Sequence, residues 1–302
     1  MVIKGNGAVN TMEAVKINTK EKERTKVTYH KSVFSSVLTG ITWGAAILAL
    51  AVLVFLVGFI LIRGVKNLTL EQFAWTYNTE NVTMLPAIIN TVTMTVLSLL
   101  LAAPLGIFSA IYLVEYANKR GKLVGLIRIT AETLSGIPSI VYGLFGMLFF
   151  TKTLKMGYSM MSGACTLAIM ILPLIMRTAE EALKSVPDSY REASFGLGAG
   201  KLRTIFKIVL PAAVPGILSG VILATGRIVG ETAALIYTAG SVAKIPSSVF
   251  SSGRTLAVHM YLLANEGLHV NQAYATAVIL LILVIAINAL SSFIAKKITK
   301  AQ

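Results

Sequence analysis

Long apolar runs separated by short charged segments organise this chain. A helix that crosses the hydrocarbon core of a bilayer needs about 20 predominantly apolar residues. Runs that meet this requirement lie at residues 41–62, 84–114, 123–151, 156–176, 212–237 and 272–295. Pro104 lies inside the second run and Pro138 inside the third, where each removes a backbone hydrogen bond and predicts a kink or an irregular turn. The pattern therefore predicts an all-α integral membrane protein with six transmembrane helices.

Composition supports this class. Hydrophobic residues make up 55% of the 302 positions and charged residues only 13%, against about 25% charged in soluble domains. The net charge of +14 could indicate nucleic acid, but the basic residues stand at the ends of apolar runs, which excludes that partner here. The single Cys165 allows no intrachain disulfide, and the three histidines lack metal-site spacing.

The distribution of basic residues predicts the orientation in the membrane, because cytoplasmic segments are enriched in Lys and Arg. Segments 1–40, 115–128, 177–211 and 296–302 together hold 20 of them, whereas the opposite segments 63–83, 151–160 and 238–271 hold 6. We therefore expect both termini, the tails 1–40 and 296–302, to be cytoplasmic. The polar start of the chain does not resemble a typical signal peptide.

One polar segment, residues 187–211, interrupts the apolar second half on the same side. Its sequence is PDSYREASFGLGAGKLRTIFKIVLP. Pro187 suits the start of a helix, and Asp188 and Glu192 suit its N-terminal dipole. A helix lying on the membrane with its basic side toward the headgroups is the alternative interpretation.

The spacing in this segment resembles the EAA loop of ABC-importer permeases. Glu192, Ala193, Ser194 and Gly198 are followed by the loop's closing anchors, and Ser194 replaces the usual Ala. The closing anchors are Ile208, Leu210 and Pro211. The resemblance implies a short coupling helix that docks in a groove of a cytoplasmic ATPase, with the small side chains permitting close approach.

Ionisable residues in the apolar runs are candidates for a substrate path. Arg227 and Glu231 lie four residues apart in the fifth run, which in one continuous helix would place them on one face. Arg can hold an oxyanion through its planar set of donors, and intramembrane charges are functional by default. An ion pair that only fixes helix packing is the alternative. Arg177 at the end of the fourth run, and Glu132 at the start of the third, lie near the inner interface, where Arg177 could also snorkel to headgroups.

The segments LPLIMRTAEEALKSVPDSYREAS, GRIVGETAAL and GIPSIVYGLFG resemble the A-type permeases of phosphate ABC importers over residues 80–295. The resemblance implies a type I permease core at 80–295 plus an extra N-terminal helix at 41–62, with Arg177, Arg227 and Glu231 at family positions. It also implies a C-type partner permease, two ATP-binding subunits and an extracytoplasmic phosphate-binding protein. This sequence has no G-x4-GK(S/T) phosphate loop, so the expected ATP use belongs to partner subunits, and no cofactor or metal is expected here.

Two other functions stay open at this stage. One is a permease for a different oxyanion, such as molybdate or sulfate, because spacing and charge alone indicate only a permease that passes an anion. The other is a membrane enzyme acting on lipid, although no set of catalytic residues converges on one interface. In addition, residues 254–267 show helical periodicity, so they could meet a solute-binding protein on the outer side or simply cap the bundle.

Overall fold

The computed structural model describes residues 33–117 and 121–300, and the predicted tail before residue 33 lies outside these ranges. The α-helices are α1 Val33–Val65, α2 Leu85–Ile111, α3 Lys122–Ser135, α4 Ser139–Gly146, α5 Met160–Lys184, α6 Asp188–Gly196, α7 Lys201–Thr204, α8 Leu210–Val229, α9 Ala233–Ile236, α10 Leu256–Glu266 and α11 Val270–Lys300. A 3₁₀ turn covers Leu70–Phe73, and π-helical turns extend α2 over Tyr112–Tyr116, extend α4 over Met147–Thr153 and join α7 to α8 over Ile205–Val209. The expectation of an all-α protein is confirmed for the described chain.

Helix α1 has the properties of a helix surrounded by lipid. Each position from 34 to 57 is exposed, although the helix is apolar on all sides and long enough to cross a bilayer. In water such exposure would be costly, because each buried apolar side chain stabilises a fold by about 1.5–3 kcal/mol. Beyond Gly58 the helix packs on α11, where the rings of Phe59 and Tyr274 meet edge to face at 5.9 Å.

Helix α5 forms the centre of the remaining bundle. Its buried side chains, among them Leu167, Ile171 and Ile175, are 0% exposed and pack with residues of α2 and α8. Small residues let the backbones approach: a Cβ on Gly106 of α2 would lie 2.9 Å from the Ile175 side chain. Close packing of this kind drives helix association in lipid, where hydrophobic burial contributes little.

The third predicted span is not one helix, which corrects the expectation for residues 123–151. Helices α3 and α4 meet at 102°, because Pro138 cannot donate a backbone hydrogen bond and its ring disfavours a helical residue before it. The pair still crosses the bundle. Arg128 of α3 bonds Glu180 near one end of α5, and Thr151 after α4 bonds Ser162 near the other, about 27 Å apart at 1.5 Å per residue.

The fifth predicted span is also interrupted. Helix α8 ends at Val229, Gly230 caps it, and the chain restarts as the short α9, so residues 212–237 do not form the continuous helix that the apolar run predicts. Helix α10 confirms the periodicity of residues 254–267. With the bent pair taken as one crossing, the described chain has six candidate crossings, as the hydrophobic pattern predicts.

Candidate functional site

The polar segment 187–211 folds into α6, a tight turn and α7. Helix α6 ends in a Schellman motif: the Gly198 N–H donates to the Phe195 carbonyl at 2.9 Å, and the Ala199 N–H donates to the Ser194 carbonyl at 3.1 Å. This motif needs a residue in the left-handed region, and Gly198 has φ of +79°. The glycine of the EAA-type spacing therefore has a conformational role within the loop.

Ser194, the residue that departs from the motif, is buried within the loop itself. Its hydroxyl lies 2.8 Å from that of Thr204 on α7, and the residue is 3% exposed. The expectation that Ser194 is small so that another protein can approach is therefore wrong; its side chain ties α6 to α7. Glu192 and Ala193 are exposed and remain available to a partner.

An apolar surface lies on the outside of this loop. Tyr190, Phe195 and Leu197 are 51%, 48% and 89% exposed, and Leu202 and Phe206 extend the surface onto the following turn. We call these five residues the docking face. Large apolar side chains clustered on a polar loop are typical of protein interaction sites.

Arg227 lies in the last turn of α8 and lines a cavity of about 530 Å³. Ser219 and Asn288 supply the cavity's other polar side chains, and Asn288 Oδ1 is buried without a hydrogen-bond partner. In the described ranges, no carboxylate lies within 4.0 Å of the Arg227 guanidinium. Sequence reasoning missed Asn288, whose signal was one polar residue in the apolar run of the sixth span.

Glu231 is not the partner of Arg227, which corrects the one-face expectation. The break after Val229 removes Glu231 from α8, and its Oε1 accepts a hydrogen bond from the Ala234 N–H at 3.1 Å. Glu231 is 9% exposed. The Glu231 carboxylate therefore caps the first turn of α9, directly after the break in the span. It does not occupy the donors of the Arg227 guanidinium, which lines the cavity.

Arg177 lines a second cavity, of about 600 Å³, together with Glu132. The expectation that Arg177 closes its span is wrong, because α5 continues for about two turns beyond it to Lys184. Glu132 likewise lies in the last turn of α3 and does not open a span. Arg177 pairs with Glu181 at 3.3 Å, and both side chains are largely exposed.

A charged network on the second cavity was not predicted. Glu180, whose side chain is 7% exposed, accepts from Arg128 Nη2 and Lys184 Nζ, both at 2.7 Å. Leu174 lines both this cavity and that of Arg227, whereas Arg128 and Lys184 also line a third cavity beside α6. The three cavities thus adjoin one another from Arg227 in the bundle to α6 at its end, and a basic residue lines each.

The third cavity, of about 460 Å³, contains Arg191 and Glu115. Arg191 Nε and Nη2 donate to Glu115 Oε1 at 3.1 and 2.8 Å, although 76 residues separate the two. No local pattern signals a contact at such a separation. In the described chain, no group of three or more His, Cys, Asp or Glu side chains could hold a metal ion.

These features together are those of a membrane permease. The bundle is apolar and has a central helix, its adjoining cavities are lined by basic residues, and its polar loop has exposed apolar side chains. Comparison with family models gives the same class: residues 102–301 match the model described as "Binding-protein-dependent transport system inner membrane component". The chain belongs to this family of ABC-importer permeases. It is a transport subunit, and the family implies assembly with a permease, an ATPase and a substrate-binding protein.

Curated relatives cover most of the chain. It is 33% identical over 280 residues to "Phosphate transport system permease protein PstA 1" of Mycobacterium tuberculosis, covering 89% of this chain and 90% of the relative. It is 32% identical over 255 residues to "Probable ABC transporter permease protein YqgI" of Bacillus subtilis, covering 79% of this chain and 86% of the relative.

Solved structures of low sequence identity share the fold. A chain of a bacterial alginate ABC transporter in complex with its pentasaccharide-bound periplasmic protein superposes with a TM-score of 0.62 at 16% identity, covering 89% of this chain and 95% of the other. A chain of the inward-facing MetNI methionine transporter gives 0.56 at 19% identity, covering 80% and 98%. The architecture is therefore that of type I ABC-importer permeases.

Proposed function

We propose that this chain forms half of the translocation path of an importer for inorganic phosphate. The observation that carries the proposal is Arg227, a partly buried cation in the last turn of α8 that lines a cavity and has no carboxylate partner in the described chain. A charge in the membrane is costly unless it faces a partner or a water-filled path. A tetrahedral oxyanion supplies the missing negative charge, and the relatives named as phosphate permeases favour phosphate.

The path runs from the Arg227 cavity toward α6. Arg227 lies 17 residues into α8 and Arg177 lies seven residues before the end of α5, so at 1.5 Å per residue they stand about 26 Å and 10 Å from those ends. Leu174 lines both of their cavities. We propose that Leu174 is displaced as the spans move, which lets the anion pass from Arg227 to Arg177.

Coupling takes place at the docking face. We propose that α6, with Glu192, Ala193 and Gly198 at its outer surface and turn, docks in a groove of an ATP-hydrolysing subunit. The complete transporter would hold this chain, one C-type permease, two ATP-binding subunits and an extracytoplasmic phosphate-binding protein. Both termini and α6 would be cytoplasmic, because the ends of α2 and α5 beside α6 belong to the segments rich in Lys and Arg.

Uptake of labelled phosphate by cells that lack this chain and regain a variant tests the path. Arg227→Gln keeps the hydrogen-bonding capacity and removes the charge, so we expect normal complex yield and at least tenfold slower uptake, the equivalent of about 1.4 kcal/mol. Arg227→Lys should rescue uptake only partly, because Lys lacks the planar fork. Lys152→Gln, which removes an exposed charge far from the cavities, is the control and should leave uptake unchanged.

Competition by other oxyanions tests the substrate. Excess unlabelled phosphate should suppress the uptake, whereas equal sulfate or molybdate should not. Suppression by sulfate or molybdate alone would assign the chain to that oxyanion, and wild-type uptake in the Arg227→Gln variant would remove this arginine from the path. Turnover of a lipid by the purified chain without an ATPase would instead favour the membrane-enzyme alternative.

A further inference from the structure

The guanidinium group of Arg191 ties α6 to the ends of two membrane-crossing helices. Its Nη1 donates to the Val186 carbonyl at 2.9 Å and its Nη2 donates to the Leu183 carbonyl at 3.0 Å, at the C-terminal end of α5. Its Nε and Nη2 also bind Glu115 in the π-helical turn that ends α2. One side chain on α6 therefore contacts both α2 and α5.

Low solvent exposure and the end of a helix strengthen these contacts of Arg191. The side chains of Arg191 and Glu115 are 14% and 9% exposed, so water screens the pair weakly compared with a surface ion pair. The acceptors at the end of α5 are carbonyls that lack intrahelical partners, and a cation there also suits the helix dipole. The remaining partner, Asp188 of α6 itself, lies 3.2 Å away and is 79% exposed.

The elements held in this way both line the proposed path: α5 lines all three cavities, and the π-helical turn that ends α2 lines the third. Helix α5 carries Arg177 about two turns before Leu183, and α2 packs along α5 through the core. We propose that Arg191 is the positioning residue through which a movement of α6 displaces α2 and α5 together, with Glu115 as its partner on α2. This role rests on the proposed docking of an ATPase on α6.

The planar fork is what the geometry requires, because three acceptors at fixed directions are bound by one group. Arg191 donates from three separate nitrogens, whereas the three donors of Lys radiate from one nitrogen, so Arg191→Lys should lose at least one of these contacts. Glu115→Gln keeps the shape of the acceptor and leaves the α5 contacts in place, and thus weakens the tie to α2 alone. Neither change alters the docking face.

The test compares assembly, ATP hydrolysis and transport in the reconstituted complex in vesicles with internal ATP. For Arg191→Lys we expect the ATPase to co-purify at wild-type yield and to hydrolyse ATP, while the phosphate transported per ATP falls on the order of tenfold, within the range of typical coupling between sites. Glu115→Gln should lower the same ratio less. Asp188→Asn removes only the charge of the exposed ion pair within α6, so it is the matched control for Glu115→Gln and should keep the wild-type ratio.

Each outcome decides the proposal. A wild-type ratio in both the Arg191 and the Glu115 variants would overturn it. Loss of the ATPase from both variants would also overturn it, because Arg191 would then serve only to shape α6 for docking. Cross-linking of the ATPase to α6 in the wild-type complex distinguishes a failure of the proposed docking from a failure of the role of Arg191. Absence of the cross-link refutes the docking. A cross-link together with an unchanged transport ratio in the variants refutes only the role of Arg191.

Discussion

Substitutions at Gly198 separate two reasons for a glycine in the coupling loop. One reason is the backbone, since Gly198 has φ of +79° in the motif that ends α6. The other is space for the ATPase, which the resemblance to the EAA loop implies. Alanine and asparagine distinguish these two reasons. Alanine is smaller and leaves more space for the ATPase, whereas asparagine adopts the left-handed region more readily.

The expected magnitude follows from the backbone. Apart from its chain neighbours, no atom of the described residues would lie within 4 Å of a Cβ on Gly198, so the Cβ of either substitution has space in the described protein. Alanine in the left-handed region costs about 1–2 kcal/mol, which corresponds to a factor of about 5–30 in the population of the correctly turned loop. Asparagine should cost less, because its short polar side chain hydrogen-bonds locally in that conformation.

The assay is recovery of the tagged ATPase with the membrane complex at limiting ATPase concentration, followed by phosphate uptake. If the turn conformation decides docking, recovery falls in the order Gly198, Gly198→Asn, Gly198→Ala. Gly196→Ala, at the helical end of α6 where a Cβ also meets no atom within 4 Å, is the control and should recover fully. A higher recovery for the alanine variant than for the asparagine variant would refute the conformational reasoning and assign the glycine to close approach.

Two further substitutions, each with a control substitution, test the fold. Glu180→Gln should destabilise the complex by about 1–2 kcal/mol, because it leaves two partly exposed cations without their carboxylate. The control, Glu181→Gln at the neighbouring exposed pair, should change the stability by less than about 0.5 kcal/mol. Thermal unfolding in detergent measures both effects, and equal effects would contradict the burial argument. Burial, then the nearby Arg254, lowers the pKa of His259 from 6.5 to about 3, so between these pH values the unfolded chain binds the extra proton and stability falls as pH falls. From pH 8 to 5.5 this residue should remove about 1.4 kcal/mol of stability; His259→Gln should abolish that loss and His269→Gln should not, and an unchanged pH dependence in the His259 variant would refute the assignment.

Local pattern was sufficient for most of the helices. Apolar runs predict α1, α2, α5 and α11, because a span must satisfy its backbone hydrogen bonds internally and needs a minimum length. The resemblance of residues 187–211 to the EAA loop predicts a short helix there, but not the turn that follows it. The one departure from the motif, Ser194, has its reason in the hydroxyl of Thr204 ten residues later, which a motif of fixed anchors does not include.

The two helix breaks show what the hydrophobic pattern omits. Hydrophobicity is uninterrupted across Pro138 and nearly so across Gly230, yet the chain bends by 102° at the first and restarts as α9 after the second. Pro138 and Gly230, at the breaks themselves, are exposed in this chain. The segments that follow the two breaks lie against each other: a Cβ on Gly143 of α4 would lie 2.8 Å from the Cα of Ala234 in α9. The two interrupted spans therefore pack against each other, a relation that each segment alone cannot predict.

The cations of the bundle fall into two groups according to whether a carboxylate lies beside them. Only a cation without such a partner is expected to bind an anion strongly. Arg128, Lys184 and Arg191 each lie within 2.8 Å of a carboxylate oxygen. They still count toward the excess of basic residues on the side proposed to be cytoplasmic, because that rule depends little on acidic neighbours. To an anion, however, these cations are largely neutralised. Arg227 lies deeper and has no such partner among the described residues. An anion would thus be held more firmly at Arg227 than at the later cavities, so its passage toward α6 is uphill and requires a movement of the helices that weakens the hold of Arg227.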